Sequence, residues 1–547
     1  MRPGAEPKKT AGSAVLLVGP YDPHCGEYTF LAPPLGVWRL AGVLKQNGIA
    51  AEVFDPNCVD SGTPEEAFTK KLSSREWAVV GFSTTGMTLR FDLALAHQAS
   101  RQAPGALLVA GGMEATFAPE TMFALAPFDL VILGEGEHPL LELMRRIEAG
   151  ESLDGIAGTA RLNGDGTLAR VPQKALTADE LREAIFATPY DEMPYEAYWQ
   201  RLEEAYAVRS LPMKADREAR LAEIRSVRLI TLNYCPMRCT FCSSTNFLTA
   251  AQDSTARIAR LEADDCVTMM RRIVAAHPGV RTIIFQDDIF VFPTDRRILA
   301  LTAAIIEAKR SGALPQSLQF ISTNRVDAMT PERIAAMREA GFRVLGFGIE
   351  NFSPVVLAEF NKSRIVPAIE PALTAALANG ITPFLDIILT SPRATLADLA
   401  LTVGEAYRWI EAGCEVGMYP YVIPFSGAAM ANDPALLPQT RYELQSIAGT
   451  AIRWQQPSTI LPFDPLLRAA IVTIEEQYEA KLEQLEAERA HLPSRVRSLL
   501  WIWCAAPILR ILGHDAPEQD AVQDRLRKLL PTAVRTLERP AGLELAS

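Results

Sequence analysis

The sequence predicts an α/β fold in three parts: an N-terminal doubly wound, Rossmann-like domain, a partial (β/α)6 barrel of the TIM type, and a helical C-terminal region. In two long stretches, short apolar runs alternate with amphipathic segments. This alternation predicts the first two parts, because it is typical of parallel sheets covered by helices. A change to helical patterns after Gly427 predicts the third part. A length of 547 residues suits roughly three domains.

The first predicted domain covers residues 14–145 and follows a disordered lead-in of residues 1–13. Its predicted strands are the apolar runs at 14–19, 51–55, 78–83, 106–112 and 130–134. Ligands of doubly wound sheets bind at the carboxyl ends of the strands, and glycines there let a flat, bulky ligand approach the backbone. By itself this pattern fits a nucleotide-binding, flavin-binding or response-regulator-like domain equally well.

A linker is predicted over residues 146–225, where the Asp165-Gly166 pair marks a hairpin turn. The barrel domain is predicted over residues 226–430. Its six predicted strands lie at 227–233, 281–285, 318–323, 344–349, 382–389 and 415–422. In barrels of this type the functional groups lie at the carboxyl ends of the strands. The helical C-terminal region is predicted over residues 431–547.

Three cysteines, Cys235, Cys239 and Cys242, directly follow the first predicted barrel strand. A [4Fe–4S] cluster normally takes four thiolates, so a compact set of three leaves one iron for a small molecule to complete. A structural zinc site is the alternative, but it usually needs four ligands in C-x2-C pairs, and the other cysteines are scattered singly. Eight cysteines in a chain of this length without a signal peptide indicate a reducing compartment rather than disulfides.

The spacing C-x3-C-x-Φ-C, with Phe241 as the aromatic residue, resembles the cysteine motif of the radical S-adenosylmethionine (SAM) superfamily. In that family the amino and carboxylate groups of SAM chelate the open iron, and electron transfer breaks a carbon–sulfur bond to give a 5′-deoxyadenosyl radical. SAM is a zwitterion with a sulfonium, so its site needs acceptors for the ammonium and donors for the carboxylate. The resemblance implies SAM contacts at the strand ends by Gln286, Asp287, Asp288, Ser322, Arg325 and Glu350. Each of them alone would also fit an ordinary ion pair at a barrel rim.

Three segments of the first domain, at 33–36, 111–116 and 134–137, resemble segments of the cobalamin-binding domain of B12-dependent radical SAM enzymes. The sequences are Pro-Pro-Leu-Gly, Gly-Gly-Met-Glu-Ala-Thr and Gly-Glu-Gly-Glu. The resemblance implies that the corrin and its nucleotide tail are lined by Ser83, Thr84, Thr85, Gly111, Gly112, Gly134 and Glu135. A degenerate sheet that has lost cobalamin is the alternative for this domain.

The loop after the second strand departs from one common pattern of that family. Many cobalamin-binding domains carry D-x-H-x-x-G, whose histidine ligates cobalt from below, but the loop at 55–62 contains no histidine. The resemblance therefore implies base-off cobalamin without a histidine ligand. Asn57 and Cys58 lie in this loop, where they could approach the lower face of the corrin, though we expect neither to be a true ligand.

Loops at the open end of the predicted barrel also differ from the family. After the fifth strand the family often has Gly-x-Pro-Gly, but residues 389–393 here are Leu-Thr-Ser-Pro-Arg. After the sixth strand it often has Pro-Tyr-Pro-Gly-Thr, but residues 421–427 here are Tyr-Val-Ile-Pro-Phe-Ser-Gly. Because loops determine specificity on a barrel scaffold, Arg393, Tyr419 and Tyr421 are the predicted catalytic or substrate-contacting residues.

The order of the parts resembles class B radical SAM methylases over most of the chain. The resemblance implies that methylcobalamin and a [4Fe–4S] cluster methylate an unactivated carbon of a small-molecule natural-product intermediate, with flavodoxin or ferredoxin as electron donor. A cobalamin-dependent radical cyclase, oxidase or ring-rearranging enzyme is the first alternative. A non-catalytic cobalamin- or cluster-based sensor is the second.

The net charge of −11 and the pI near 5.3 fit a cytoplasmic protein and argue against a general nucleic-acid surface, which would be basic. The longest apolar stretch, at 499–512, is shorter than the ~20 residues that a membrane-spanning helix needs. The sequence predicts no membrane span and leaves the substrate and the oligomeric state open.

Overall fold

The computed structural model of the chain describes residues 13–23, 31–211, 213–252, 256–436, 441–447, 450–456, 459–488 and 492–530. Residues 1–12 of the predicted lead-in lie outside the described residues. The chain divides into two compact units. Unit 1 comprises Met1–Arg238, Cys242–Val280 and Pro424–Ser458, and unit 2 comprises Cys239–Phe241, Arg281–Ile423 and Thr459–Ser547.

A sheet in unit 1 confirms the predicted doubly wound domain. Within the described residues its strands are β1 (Ala14–Val18), β2 (Ala51–Phe54), β3 (Trp77–Thr84), β4 (Leu107–Gly112), β5 (Leu130–Ile132), β6 (Thr159–Leu162) and β7 (Leu168–Val171), in the order β2-β1-β3-β4-β5-β6-β7. Strands β1 to β5 run parallel. Strand β6 pairs antiparallel with β5, and β6 and β7 form an antiparallel hairpin around the predicted Asp165-Gly166 turn. The sheet therefore continues beyond residue 145.

Helices of unit 1 cover the parallel strands. They are α1 (Leu35–Gln46), α2 (Pro64–Leu72), α3 (Leu89–Gln102), α4 (Met113–Phe117), α5 (Pro119–Leu125) and α6 (Glu137–Ala149). Helix α2 begins at a capping box, in which Thr63 and Glu66 each accept a hydrogen bond from the other's backbone N–H. Helix α6 ends at Gly150, whose φ of 67° is the left-handed conformation that glycine adopts without strain. All five residues of β1 are buried, which explains its continuous apolar run.

The part of unit 1 after the hairpin contains elements on both sides of the cysteine loop. Its elements are α7 (Ala178–Phe186), α8 (Tyr195–Ala205), α9 (Lys214–Ile224), β8 (Ser226–Leu229), α10 (Phe247–Gln252) and α11 (Ala263–Ala276). The hydroxyl of Tyr190 donates to the carbonyl of Arg228 at 2.9 Å, and the hydroxyl of Tyr195 accepts from the Arg228 N–H at 3.1 Å. These buried bonds satisfy backbone groups of β8 where the strand approaches the cysteines.

Unit 2 contains a parallel sheet with helices between its strands. The elements are β9 (Thr282–Phe285), α12 (Arg297–Arg310), β10 (Gln319–Asn324), α13 (Pro331–Ala340), β11 (Phe342–Glu350), α14 (Pro354–Glu359), α15 (Val366–Ala378), β12 (Thr382–Ile388), α16 (Leu396–Ala412) and β13 (Glu415–Tyr419). The strand order is β13-β12-β11-β10-β9. With β8, these strands match the predicted barrel strands one for one in the described part of the chain.

The sheet of unit 2 has two unlike faces. Leu345, Phe347 and Leu385 are fully buried on one face. Residues that alternate with them on β11 and β12 are half-buried and form what we call the open face: Gly346, Gly348, Phe384 and Asp386. Successive residues of a strand point to opposite sides, so these two sets belong to opposite faces.

The C-terminal region contains α17 (Pro465–Glu488), α18 (Ser494–Ile511) and α19 (Gln519–Leu529), as its helical patterns predict. It begins, however, with an antiparallel hairpin of β14 (Arg441–Ile447) and β15 (Thr450–Gln456). The expectation that the chain is helical from Gly427 onward is wrong for this segment. Alternating apolar and polar residues at 442–445 and 452–455 are a strand signal that could have predicted it.

Helix α18 accounts for the longest apolar stretch of the sequence. It runs through Pro507, and its residues from Leu499 to Ala506 are buried. None of the helices that the structure describes combines the length and the hydropathy that crossing a bilayer requires.

Candidate functional site

Two threonine hydroxyls join the carboxyl ends of the central strands in unit 1. Thr84 is the last residue of β3, and its Oγ1 donates to the Gly111 carbonyl at 3.0 Å and accepts from Ala115 N–H at 3.2 Å. Thr116 Oγ1 donates to the Gly112 carbonyl at 2.8 Å and accepts from Gly134 N–H at 2.9 Å. Thr84 is fully buried, so it positions the predicted cobalamin edge rather than presenting a free hydroxyl.

The remaining predicted cobalamin residues of this edge leave an open surface. Ser83 pairs in register with Gly111, and both are half-buried, as is Thr85. A Cβ placed on Gly111 would meet nothing nearer than 3.9 Å, so the missing side chain leaves room above the strand. Gly112 serves the protein itself, because its φ is 95° and a Cβ there would lie 2.7 Å from the Thr84 carbonyl oxygen. The edge fits a flat ligand such as a corrin.

A buried carboxyl group follows β5 at Glu135. Its backbone is held by Gln173, whose Oε1 accepts from Glu135 N–H at 3.2 Å and whose Nε2 donates to the Glu135 carbonyl. Glu135 Oε2 has no hydrogen-bond partner among the described residues. Burial, reinforced by Glu137, raises the pKa of Glu135 to about 8 even though Arg39 opposes the shift. The neutral acid therefore has a donor available for a polar group of a bound cofactor.

The loop after β2, where many cobalamin-binding domains place a histidine, is held by side chains of unit 1. Asp55 Oδ2 accepts from the Tyr198 hydroxyl at 2.6 Å, and burial raises the pKa of Asp55 to about 6. The Asn57 side chain accepts from Asp22 N–H at 2.9 Å and donates to the Pro20 carbonyl at 2.8 Å. These bonds tie the predicted Asn57 to the loop after β1.

The three motif cysteines are all half-buried. Cys235 and Cys242 belong to unit 1 and Cys239 to unit 2. Within the described residues, no group of three or more His, Cys, Asp or Glu side chains is gathered closely enough to hold a metal ion. Three thiolates are a donor set that suits an iron–sulfur cluster. Because the three side chains are not gathered here, cluster binding by these residues stays a prediction.

The middle of the cysteine loop, residues Cys239–Phe241, belongs to unit 2 and packs within it. Thr240 N–H donates to the Phe360 carbonyl at 3.3 Å, and Thr240 Oγ1 donates to the Glu359 carbonyl at 2.8 Å. The predicted aromatic residue, Phe241, lies with its ring centroid 4.9 Å from that of Phe360. The Lys362 ammonium lies 5.9 Å from the Phe241 ring centroid. The motif aromatic residue therefore stands next to a cation on the segment after α14.

Glu350 ends β11 at a bulge, with a φ of 68°. Its Oε1 accepts from Lys362 Nζ at 2.7 Å, and the same ammonium donates to the Gly348 carbonyl at 2.5 Å. The Glu350 and Lys362 side chains are 13% and 5% exposed. A non-glycine residue in the left-handed region costs about 1–3 kcal/mol and is found most often at ligand sites. The predicted SAM residue Glu350 is thus held in one orientation by an ion pair.

The other predicted SAM residues differ in burial and in their hydrogen-bond partners. Ser322 is fully buried in register with Leu345, on the face opposite the open face, and bonds with Asn324. Arg325 makes a two-pronged ion pair with Asp327 at 2.8 and 2.9 Å. After β9, Asp287 is buried, whereas Gln286 and Asp288 are exposed. The apolar run predicts the strand of Ser322, but the face that Ser322 occupies depends on how the strands pair.

The three predicted substrate contacts lie in different surroundings. Tyr419 is 53% exposed at the end of β13. The Tyr421 hydroxyl donates to Glu475 Oε2 on α17 at 2.7 Å, and burial raises its pKa. Arg393 has an exposed side chain, and its backbone N–H donates to Glu359 Oε2 at 3.3 Å. Their roles toward a substrate stay predictions.

Sequence reasoning missed three residues in these regions. Lys362 pairs with Glu350, and Asp386 lies on the open face, where burial and Glu350 raise its pKa to about 7 against the effect of Lys362. Glu114 accepts from Ser426 Oγ at 2.9 Å within unit 1, and burial raises its pKa. A charged residue inside an apolar strand was the available signal for Asp386.

Comparisons with known proteins match both regions. The family model described as the B12 binding domain matches residues 23–144, and the model described as the radical SAM superfamily matches residues 229–406. An uncharacterized methyltransferase of Pyrococcus horikoshii is 22% identical over 448 residues, which are 81% of this chain and 85% of that relative. The cytidylyl-2-hydroxyethylphosphonate methyltransferase of Streptomyces wedmorensis is 25% identical over 361 residues, 61% of this chain and 64% of that relative.

Two solved structures share the fold. The radical S-adenosylmethionine methyltransferase TsrM from Kitasatospora setae, with cobalamin and a [4Fe–4S] cluster bound, has a TM-score of 0.60 at 17% identity and covers 79% of this chain and 80% of its own. The cobalamin-dependent S-adenosylmethionine radical enzyme OxsB, with aqua-cobalamin bound, has a TM-score of 0.67 at 14% identity and covers 97% of this chain and 77% of its own. At these identities the likeness concerns the fold alone.

Proposed function

Because this chain belongs to the cobalamin-dependent radical SAM enzymes, we propose that it is a methyltransferase that acts on an unactivated carbon of a small-molecule natural-product intermediate. The observation that carries the proposal is the presence of a B12-binding region and a three-cysteine loop in one chain whose curated relatives include proteins named as methyltransferases. The Streptomyces wedmorensis relative, named for a small phosphonate, supports a small-molecule substrate. One structural neighbour is described as a methyltransferase and another as a radical enzyme, so the fold does not decide between methylation and rearrangement.

In this proposal the cysteine loop holds the iron–sulfur cluster, and the open face of unit 2 contributes residues that contact SAM. Cys235, Cys239 and Cys242 supply three thiolates and leave one iron for SAM. The bound groups would supply the chemistry that side chains lack, since the cluster would deliver an electron to SAM and cobalamin would carry a methyl group. Glu350, fixed by Lys362 at 2.7 Å, would orient polar groups of SAM. The chain's own contribution is position and exclusion of water.

The cobalamin is proposed to bind at the carboxyl edge of the sheet in unit 1, base-off and without a histidine ligand. Ser83, Thr85 and Gly111 would contact the ring, and Glu135 would donate to a polar group of its side chains or tail. Support for the missing lower ligand comes from the loop at 55–62, which has no histidine and whose Asn57 amide is bound to Asp22 and Pro20. Hydrogen bonds already made would have to break before Asn57 could reach cobalt.

Anaerobic reconstitution with iron, sulfide and hydroxocobalamin tests the proposal. We expect about one cluster and one corrin per chain by metal count and visible spectrum, since each site would hold one group. The matched control replaces all three motif cysteines by alanine, which should abolish the cluster and leave corrin binding. A reconstituted protein without corrin would contradict the cobalamin half of the proposal.

The reaction is tested with methyl-labelled SAM, a strong reductant and candidate substrates. Label in the product, together with 5′-deoxyadenosine, is the expected result. A rearranged, cyclised or oxidised product without label would replace methylation by the first alternative. A fully loaded protein that makes no 5′-deoxyadenosine would instead point to a sensor.

A further inference from the structure

One residue row of unit 2 contains a single side chain between two glycines. Asp386 on β12 pairs in register with Gly348 on β11 and with Gly417 on β13. Residues paired in a parallel sheet point to the same side, so the row lies on the open face. Both register partners of Asp386 are glycines, so neither neighbouring strand places a side chain next to it in this row.

The two flanks of Asp386 differ in what lies over them. A Cβ on Gly348 would lie 2.6 Å from Glu350 Oε1 and 3.2 Å from Lys362 Nζ, so the ion pair fills that side. A Cβ on Gly417 would lie 3.4 Å from the Phe384 ring and 3.6 Å from Asp386 Oδ1. These are ordinary contact distances, so a carbon atom of a ligand would fit over Gly417. We call the surface formed by Asp386, Gly417 and the Phe384 ring the slot. The Glu350–Lys362 ion pair lies on its Gly348 side.

The charges around the slot sum to a negative value when Asp386 is ionised. Glu350 faces Asp386 from β11 and Lys362 faces it from the segment after α14. On β13, Gly417 pairs with Asp386, and Glu415 pairs with Phe384 on the same face. Glu350 and Lys362 neutralise each other at 2.7 Å, which leaves the Asp386 carboxylate as the unbalanced charge of these three groups. Asp386 is half-buried and has no hydrogen-bond partner within the described residues, so its carboxylate is available to a ligand on the open face.

We propose that Asp386 binds the positive charge of the sulfonium group of SAM in the slot over Gly417. The inference rests on the proposed function, since it presumes that SAM is a substrate. Lys362 connects the slot to the cysteine loop, because its ammonium lies 5.9 Å from the ring of Phe241. SAM that chelates an iron of the cluster must lie beside this loop, and a carboxylate there favours a cation over a neutral ligand.

The test compares the binding of SAM and of S-adenosylhomocysteine by equilibrium dialysis with the anaerobically reconstituted protein. The two ligands share the ammonium and the carboxylate, but S-adenosylhomocysteine lacks the sulfonium charge. Asp386→Asn keeps the shape and removes the charge, and we expect it to weaken SAM binding by about ten- to a hundredfold. Loss for SAM alone supports the inference, because only SAM carries the sulfonium charge. Equal loss for both ligands would overturn it.

Two further variants keep the test decisive. Glu332→Gln removes an exposed carboxylate at the start of α13 and should leave the affinity for SAM unchanged. Asp386→Glu keeps the charge and should retain a preference for SAM over S-adenosylhomocysteine, and thermal unfolding and cluster content check that each variant folds. Unchanged SAM affinity in Asp386→Asn would overturn the inference. A wild-type protein that binds no SAM would overturn the proposed function instead.

Discussion

Gly134 is the position at which a single methyl group should most clearly disturb the cobalamin edge. Its φ is 72°, and a Cβ there would lie 2.6 Å from the Cβ of Ala251 and would also collide with Gln173 Oε1. Gly155 has nearly the same φ, 73°, but a Cβ there would meet nothing within 4 Å. Alanine at Gly155 therefore measures backbone strain alone, and alanine at Gly134 adds the collision.

The expected destabilisation can be worked out from these contacts. An alanine in the left-handed region costs about 1–2 kcal/mol at either position. At Gly134 the collision adds about 1–3 kcal/mol of overpacking. Displacing Gln173 also weakens its two hydrogen bonds to the Glu135 backbone, at about 1 kcal/mol each. We expect Gly134→Ala to lower the free energy of unfolding by about 3–5 kcal/mol more than Gly155→Ala does.

Urea unfolding followed by fluorescence measures the difference between the two variants, and titration with hydroxocobalamin followed by visible absorption measures the effect on the site. Gly134→Ala should also bind cobalamin more weakly, because Glu135 is displaced with its backbone. Equal destabilisation by the two substitutions would refute the reasoning, since it would mean that Ala251 and Gln173 yield without cost.

Three further outcomes are expected. The pKa of Asp55 is raised from 3.8 to about 6, so between pH 4 and 6 the folded state keeps a proton that the unfolded state has lost. The contribution of Asp55 to the free energy of unfolding should therefore fall by about 3 kcal/mol as the pH rises from about 4 to about 6. Asp55→Asn should flatten this slope in urea unfolding at several pH values. Lys362→Met should cost about 3–5 kcal/mol because it leaves Glu350 without its ion-pair partner, and a smaller loss when Glu350→Gln is added is the check in a double-mutant cycle. Tyr421→Phe should lower the free energy of unfolding by about 1–3 kcal/mol, since it removes the hydrogen bond to Glu475; an unchanged melting temperature would show that this bond contributes nothing to stability.

The sequence by itself determined the features that are local along the chain. The parallel strands of both sheets are short apolar runs between turns, and their positions follow from that pattern. The spacing of Cys235, Cys239 and Cys242 is equally local, because cluster ligands on one loop are defined by their separation in sequence. The Asp165-Gly166 turn was predicted for the same reason, since its two residues carry the turn signal themselves.

The tertiary structure decided which of these local features meet. Glu350 was predicted as a SAM residue, but its partner Lys362 and its neighbour Asp386 come from other elements. Ser322 was assigned to the correct strand, yet it occupies the face opposite the open face. A pattern of apolar residues gives the period of a strand but not its register with the next one. Register fixes which side chains share a row, and a row such as Gly348, Asp386 and Gly417 exists only once the strands are paired.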